Sequence, residues 1–194
     1  MNSSNMTNSK IILGFVGDLA AGKGTICKYL KEKHNVNAYR YSTMLRDVMR
    51  RLYIPESRES LQLISKILRE NFGQDLLSKV IALDVENDSH EITAVEGIRR
   101  PSDITYLEKM PGFKLVYITA EPKIRWERLV KRAENPGDTE KTFEEFLADE
   151  QAEADRLIKE LGGTAKYIIT NNGDWDAFYN QMEDVLNKIK KYES

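Results

Sequence analysis

The stretch Gly17-Asp18-Leu19-Ala20-Ala21-Gly22-Lys23-Gly24-Thr25 has the spacing G-x-x-x-x-G-K-G-T. An apolar run with strand character, residues 11–16, precedes it, and a segment with helical spacing, residues 26–33, follows. Strand, glycine-rich turn and helix form the context of a phosphate-binding loop. Gly17 and Gly22 are expected to supply backbone angles that a side chain would block. The amides of Gly17, Ala20, Ala21, Gly22, Gly24 and Thr25 can then turn inward as a concave anion nest, with a helix N-terminus aimed at the same point. Lys23 is placed to reach the β- and γ-phosphates of ATP, and the Thr25 hydroxyl to hold Mg²⁺.

Outward from this loop the chain alternates. Residues 38–41, 92–96, 114–118 and 166–170 are further short runs rich in β-branched and aliphatic side chains. Helical spacing occupies 24–33, 43–52, 58–72, 75–85, 102–109, 122–132, 143–161 and about 175–190. The alternation predicts an α/β fold of three layers, a five-stranded parallel sheet covered on both faces. At 194 residues one domain, about 10–194, is expected, after a polar tail over residues 1–9 that reads as disordered. A long crossover between the second and third strands reads as a small inserted lobe, about 42–88. Residues 133–142, with Pro136 and Gly137, read as a mobile loop, and about 128–142 as a lid.

Composition narrows the classes. With 29 basic and 31 acidic side chains the net charge is −2, so no global attraction to nucleic acid or to an anionic membrane is expected. No apolar run approaches a membrane span. The single cysteine, Cys27, permits no internal disulfide and is expected to be buried. A reducing, cytoplasmic setting and a monomer or homodimer fit this composition.

Four further stretches carry candidate chemistry. In Tyr41-Ser42-Thr43-Met44-Leu45-Arg46, Ser42 is expected to cap a helix and Arg46 to lie one turn inside it, near a second phosphate. A solvated surface arginine is the alternative for Arg46. In Ile92 to Asp103, a strand ends in Glu96-Gly97-Ile98-Arg99. Glu96 can hold a Mg²⁺-bound water and Arg99 can fork onto phosphate oxygens; alternatively Glu96 pairs with a neighbouring arginine. Arg125, Arg128 and Arg132 share a helix face, and Arg128 and Arg132 are the preferred pair to neutralise a transferring phosphoryl group. Pairing with Glu121 or Glu127 is the alternative. Finally, Ile168-Ile169-Thr170-Asn171-Asn172-Gly173 ends a strand in a polar turn. Either it contacts a nucleotide base, through Asn172, or it is a simple turn.

Taken together, these residues resemble small P-loop kinases of the nucleoside-monophosphate kinase type. The loop ending GKGT is similar to that of adenylate kinases, and STMLR to the family segment that binds the acceptor nucleotide. RESLQ and FGQDLL resemble viral deoxynucleoside-monophosphate kinases, whose Asp-Val-Arg corresponds to Gly97-Ile98-Arg99, so Glu96 would stand in for the aspartate. The C-terminal half, from VEGIR to YIITNNG, also resembles dephospho-coenzyme A kinases and an uncharacterised archaeal kinase-like group. The resemblance implies a P-loop NTPase fold and transfer of the γ-phosphoryl of ATP to a small nucleotide acceptor. Lys23, Arg99, Arg128 and Arg132 would serve catalysis, Ser42, Arg46 and Arg99 the acceptor, and Thr25 and Glu96 the metal. Under the dephospho-coenzyme A kinase alternative, Asp18 is the candidate base for a hydroxyl. A nucleotide-dependent switch is the alternative of another class.

Overall fold

A computed structural model describes residues 10–133, 137–150 and 153–193. The proposed tail at 1–9, residues 134–136 of the proposed lid and residues 151–152 lie outside the described residues. The strands are β1 (Ile11–Gly17), β2 (Asn37–Arg40), β3 (Ile92–Ile98), β4 (Phe113–Thr119) and β5 (Tyr167–Thr170). The helices are α1 (Lys23–His34), α2 (Tyr41–Arg51), α3 (Arg58–Phe72), α4 (Leu76–Glu86), α5 (Pro122–Arg132), α6 (Phe143–Asp149), α7 (Glu153–Gly163) and α8 (Trp175–Glu193). All strands run parallel in the order β2-β3-β1-β4-β5. The expected three-layer α/β fold with a five-stranded parallel sheet is therefore the observed one.

Every residue of β1 is buried, as a strand covered on both faces requires. Its side chains alternate between two cores. Ile11, Leu13 and Phe15 pack with Ile26 and Leu30 of α1 and with Phe178, Met182 and Leu186 of α8. Ile12 and Val16 pack on the other face with Leu77, Ile81 and Val85 of α4 and Ile158 and Leu161 of α7. α7 sits close because it presents Gly162, where a Cβ would come within 2.7 Å of the Tyr117 ring. Cys27 is buried in the first core, as expected. No helix among the described residues is long and apolar enough to cross a membrane.

β1 lies between β3 and β4, so its carboxyl end opens where the chain departs to both sides of the sheet. Ligands in open α/β sheets bind at that crevice. The β1–β3 register slips by one residue between Phe15 and Val16. The extra residue is Gly97, at φ +87°, a torsion that other residues avoid. The resulting bulge lies between Glu96 and Arg99.

Three local expectations are corrected. Residues 102–109 do not form one helix. They make two 3₁₀ turns, Pro101–Asp103 and Leu107–Lys109, and the Asp103 carboxylate accepts from the amides of Arg99 (2.8 Å) and Arg100 (3.2 Å) at the start of the first. The helix expected over 143–161 is two, α6 and α7. Ser42 is not a helix cap: α2 starts two residues earlier than expected, at Tyr41, with Arg40 at the cap position, and the Ser42 hydroxyl instead accepts a bond from Arg46 Nη1 at 3.0 Å.

α3 is tied to the turn after β3 by a buried ion pair. Arg69 of α3 donates to Asp103 Oδ1 at 2.6 Å, with side chains 7% and 3% exposed. Removing one partner of such a pair strands the other charge away from water, at about 3–5 kcal/mol. Arg69→Ala should therefore lower the free energy of urea unfolding by an amount of that order. A loss below about 1 kcal/mol would show that the pair is not what fastens α3.

Candidate active site

The loop after β1 depends on two glycines for different reasons. A Cβ on Gly17 would lie 2.1 Å from the Ile118 carbonyl oxygen of β4. Gly17 is needed for that close approach, and its φ is not among the positive ones, which corrects the expectation of a special backbone angle. Gly22 does have one, φ +114°, and a Cβ there would meet Asn171 Nδ2 at 2.5 Å. Asn171 is buried and donates to the Ala21 carbonyl at 2.9 Å. Its own amide bonds to the Thr119 carbonyl at 2.8 Å. The chain after β5 thus clamps the far side of the loop. On the near side, the Asp18 carboxylate accepts from Thr119 Oγ1 at 2.8 Å and from the Tyr117 hydroxyl at 3.1 and 3.2 Å.

Lys23 opens α1 and folds back over the loop. Its ammonium donates to the carbonyls of Gly17 (2.6 Å) and Asp18 (2.8 Å). Burial, and next the positive charge of Arg99, lower its pKa to about 8, against opposing pulls from Asp18 and Glu96. Lys23 and Arg99 are therefore within electrostatic reach of each other.

Glu96 ends near the first turn of α1. A Cβ on Gly24 would be 4.0 Å from Glu96 Oε2 and 3.6 Å from Arg40 Nη2. Glu96 is paired with Arg40, its register partner on β2, through Nε at 2.5 Å and through Nη2. The alternative of a strand-end carboxylate paired with a neighbouring arginine is the arrangement seen. Arg99 is exposed, on a turn held by Asp103. Arg46 pairs with Glu56 at 3.2 Å and bonds Ser42. The oxygen donors of Thr25 and Glu96, beside a phosphate nest, are of the kind that suits Mg²⁺, which keeps several of its waters.

The three arginines of α5 divide. Arg125 is 2% exposed and pairs with Glu150, not with Glu121 or Glu127. It also donates to the Ala120 carbonyl at 2.7 Å. Arg128 Nη2 donates to Asn171 Oδ1 at 3.2 Å, and its guanidinium lies 5.9 Å from the Trp175 ring centre. Arg128 Nη1 is buried with no hydrogen-bond partner among the described residues. Arg132 is exposed in the last turn of α5. Asn172 is engaged elsewhere: its Oδ1 accepts the Glu121 amide at 2.8 Å. The amide beside the loop is that of its neighbour, Asn171.

Gly17 to Thr25, Glu96 and Arg99 are thus brought together, with Arg128 joined through Asn171. Sequence reasoning missed Arg40, Asn171, Arg69 and Asp103 as organisers. Arg40 ends a strand beside the motif and Asn171 follows one, so strand-end position was the signal available for both.

The family model described as an AAA domain matches residues 13–169. A UPF0200 protein of Pyrococcus abyssi is 29% identical over 184 residues, covering 92% of this chain and 97% of that protein. A UPF0200 protein of Saccharolobus islandicus is 28% identical over 187 residues, covering 94% and 95%. The structure of shikimate kinase from Bacteroides thetaiotaomicron aligns with a TM-score of 0.62 at 16% identity, covering 93% of this chain and 98% of that one. That likeness concerns the fold, which is P-loop kinase-like, as the resemblance implied.

Gly22 combines a left-handed torsion with a Cβ position already filled by Asn171. Gly22→Ala should reduce stability by about 2 kcal/mol or more, from the left-handed torsion and the clash with Asn171. Gly163→Ala, with nothing within 4 Å of the added atom, is the matched control and should be neutral in the same urea unfolding experiment. Equal effects at the two sites would refute this account of the loop.

Proposed function

Because the chain belongs to the AAA domain family, with a P-loop kinase-like fold, we propose that it is an ATP-dependent phosphotransferase whose acceptor is a nucleoside or deoxynucleoside monophosphate. The observation that carries this reading is the Gly17–Thr25 loop clamped at the carboxyl end of β1 by Asn171 and by the β4 hydroxyls, with Lys23 folded over it and Glu96 beside the first turn of α1. The loop amides and Lys23 would hold the donor phosphates. Arg46 and Arg99 would seat the acceptor phosphate. Thr25 and Glu96 would hold Mg²⁺, which when bound neutralises charge on the donor phosphates. An acceptor phosphate oxygen forms a bond to the γ-phosphorus as the bond from that phosphorus to the β–γ bridging oxygen breaks, leaving ADP. No covalent enzyme intermediate and no base are needed, since the attacking oxygen is already ionised.

The unpartnered Nη1 of Arg128, next to Trp175 and Asn171, supports a role for Arg128 at the nucleotide. Arg132 and the segment to about residue 142 would close over the transferring group. The end of that segment is moored, since Trp126 Nε1 donates to the Lys141 carbonyl at 2.7 Å. Asp18, needed as a base only for a hydroxyl acceptor, has both oxygens bonded to β4. This favours a phosphate acceptor over dephospho-coenzyme A. ADP release measured against the nucleoside monophosphates, dephospho-coenzyme A and shikimate tests the choice. Turnover with only the last two would overturn it. Lys23→Ala should lower turnover on any active acceptor by about 10²–10³-fold, as loss of a preorganised charge donor does; near-wild-type turnover would remove the kinase mechanism.

Lys23 also sets a pH dependence. Below about pH 8 it is protonated in the free protein and meets the phosphates as a cation. Above about pH 8 it is neutral, and binding must take up a proton because the phosphates raise its pKa. ATP affinity should hold from pH 6.5 to about 8 and then fall by up to about tenfold per pH unit. Calorimetry in buffers of different ionisation enthalpy should register proton uptake at pH 9. Lys23→Met should abolish both the slope and the uptake.

A further inference from the structure

Arg40 has no part in the scheme above, yet it occupies the carboxyl end of β2, beside Glu96 of β3. Its guanidinium covers the first turn of α1, 3.6 Å from the Cβ position of Gly24. Its side chain is 48% exposed, while that of Glu96 is 11% exposed. One partner is therefore fixed in the site and the other reaches into it from the cleft side. Among the described residues the hydrogen-bond partner of Arg40 is Glu96, and both bonds go to the same oxygen, Oε1. A guanidinium carries five N–H donors in a planar fork, so most of this one is available for an anion.

We propose that Arg40 is an acceptor-phosphate ligand that leaves Glu96 when a phosphate enters, and that this exchange selects an acceptor bearing a phosphate over one offering only a hydroxyl. The inference rests on the phosphotransferase reading and specifies its acceptor side. A half-exposed cross-strand pair is a weak tie. A dianionic phosphate accepts the fork on two oxygens and outbids a single carboxylate oxygen. The exchange has a second effect. While Arg40 is bonded to Glu96, the carboxylate is neutralised and less available to a metal-bound water. Once Arg40 turns to the acceptor, Glu96 is released toward Mg²⁺ at the donor. Acceptor and Mg-nucleotide then strengthen each other's binding, and by linkage the two effects are equal. A neutral hydroxyl acceptor gives Arg40 no reason to leave.

The test is calorimetric and needs no turnover. Mg²⁺ with a non-hydrolysable ATP analogue is titrated into the protein alone, with each nucleoside monophosphate, and with each matching nucleoside. At least one monophosphate should tighten analogue binding by about fivefold or more, and its nucleoside should not. Arg40→Met should lose that tightening while binding the Mg-analogue alone at least as well as the wild type. Arg40→Lys, a point charge without the fork, should keep part of it. Glu96→Gln, which removes the competing carboxylate, should bind the monophosphate more tightly in the absence of donor, and it carries the test if Arg40→Met does not fold. Full tightening retained in Arg40→Met, or equal tightening by the nucleoside, overturns the proposal. Analogue binding with no tightening by any monophosphate also overturns it and leaves the donor site standing. No binding of the analogue at all removes the phosphotransferase reading along with it.

Discussion

The left-handed backbone at Gly22 is the constraint around which the rest of the site is arranged. It turns the chain from β1 into α1 with the Ala21 carbonyl facing β5, where Asn171 takes it up. No side chain fits at Gly22, because the Asn171 amide nitrogen fills the space. The loop is thus closed from both sides, by Asn171 after β5 and by the hydroxyls of Tyr117 and Thr119 on β4. A nest of backbone amides binds an anion well only when its shape is held in advance. Here the holding groups come from strands far away in sequence, which makes the parallel sheet itself the support of the loop.

Two buried ion pairs extend that support outward. Arg69–Asp103 fastens α3 to the turn that carries Arg99, and Asp103 also bonds the Arg99 amide. Arg125–Glu150 joins α5 to the end of α6, while Arg125 bonds the Ala120 carbonyl just past β4. Both pairs stand one step behind the residues proposed to touch ligand. Buried pairs of this kind are weak evidence of net stability but costly to break singly. Their effect is to hold α3 against the turn after β3 and α5 against the end of α6.

Charge at the mouth of the cleft is handled by neighbours before any ligand arrives. Lys23 bonds loop carbonyls, Arg40 bonds Glu96, and Arg46 bonds Glu56 and Ser42. Each cation is oriented by these bonds, and a phosphate reaching it would have to replace them. Asp18 is the contrast, since three hydrogen bonds to β4 commit it to the loop.

The fold was legible in the sequence because its causes are local. β-branched runs of strand length, the 3.6-residue spacing between them and the G-x-x-x-x-G-K-G-T turn depend on neighbouring residues, and they specified five parallel strands, the loop and most helix positions. The helix over 58–72 matched to the residue, with Ser57 capping it. What only the tertiary structure decided were partners across the sheet. Glu96 meets Arg40 because β2 and β3 lie in that register, and Asn171 rather than Asn172 faces the loop because β5 ends beside β4. Asp103 bonds the amides ahead of it and pairs with Arg69, a partner 34 positions away. Hydrogen bonds and ion pairs between residues 30 to 150 positions apart leave no periodic trace in a sequence, so the chain announced its phosphate loop while the residues that position it emerged only from the packed sheet.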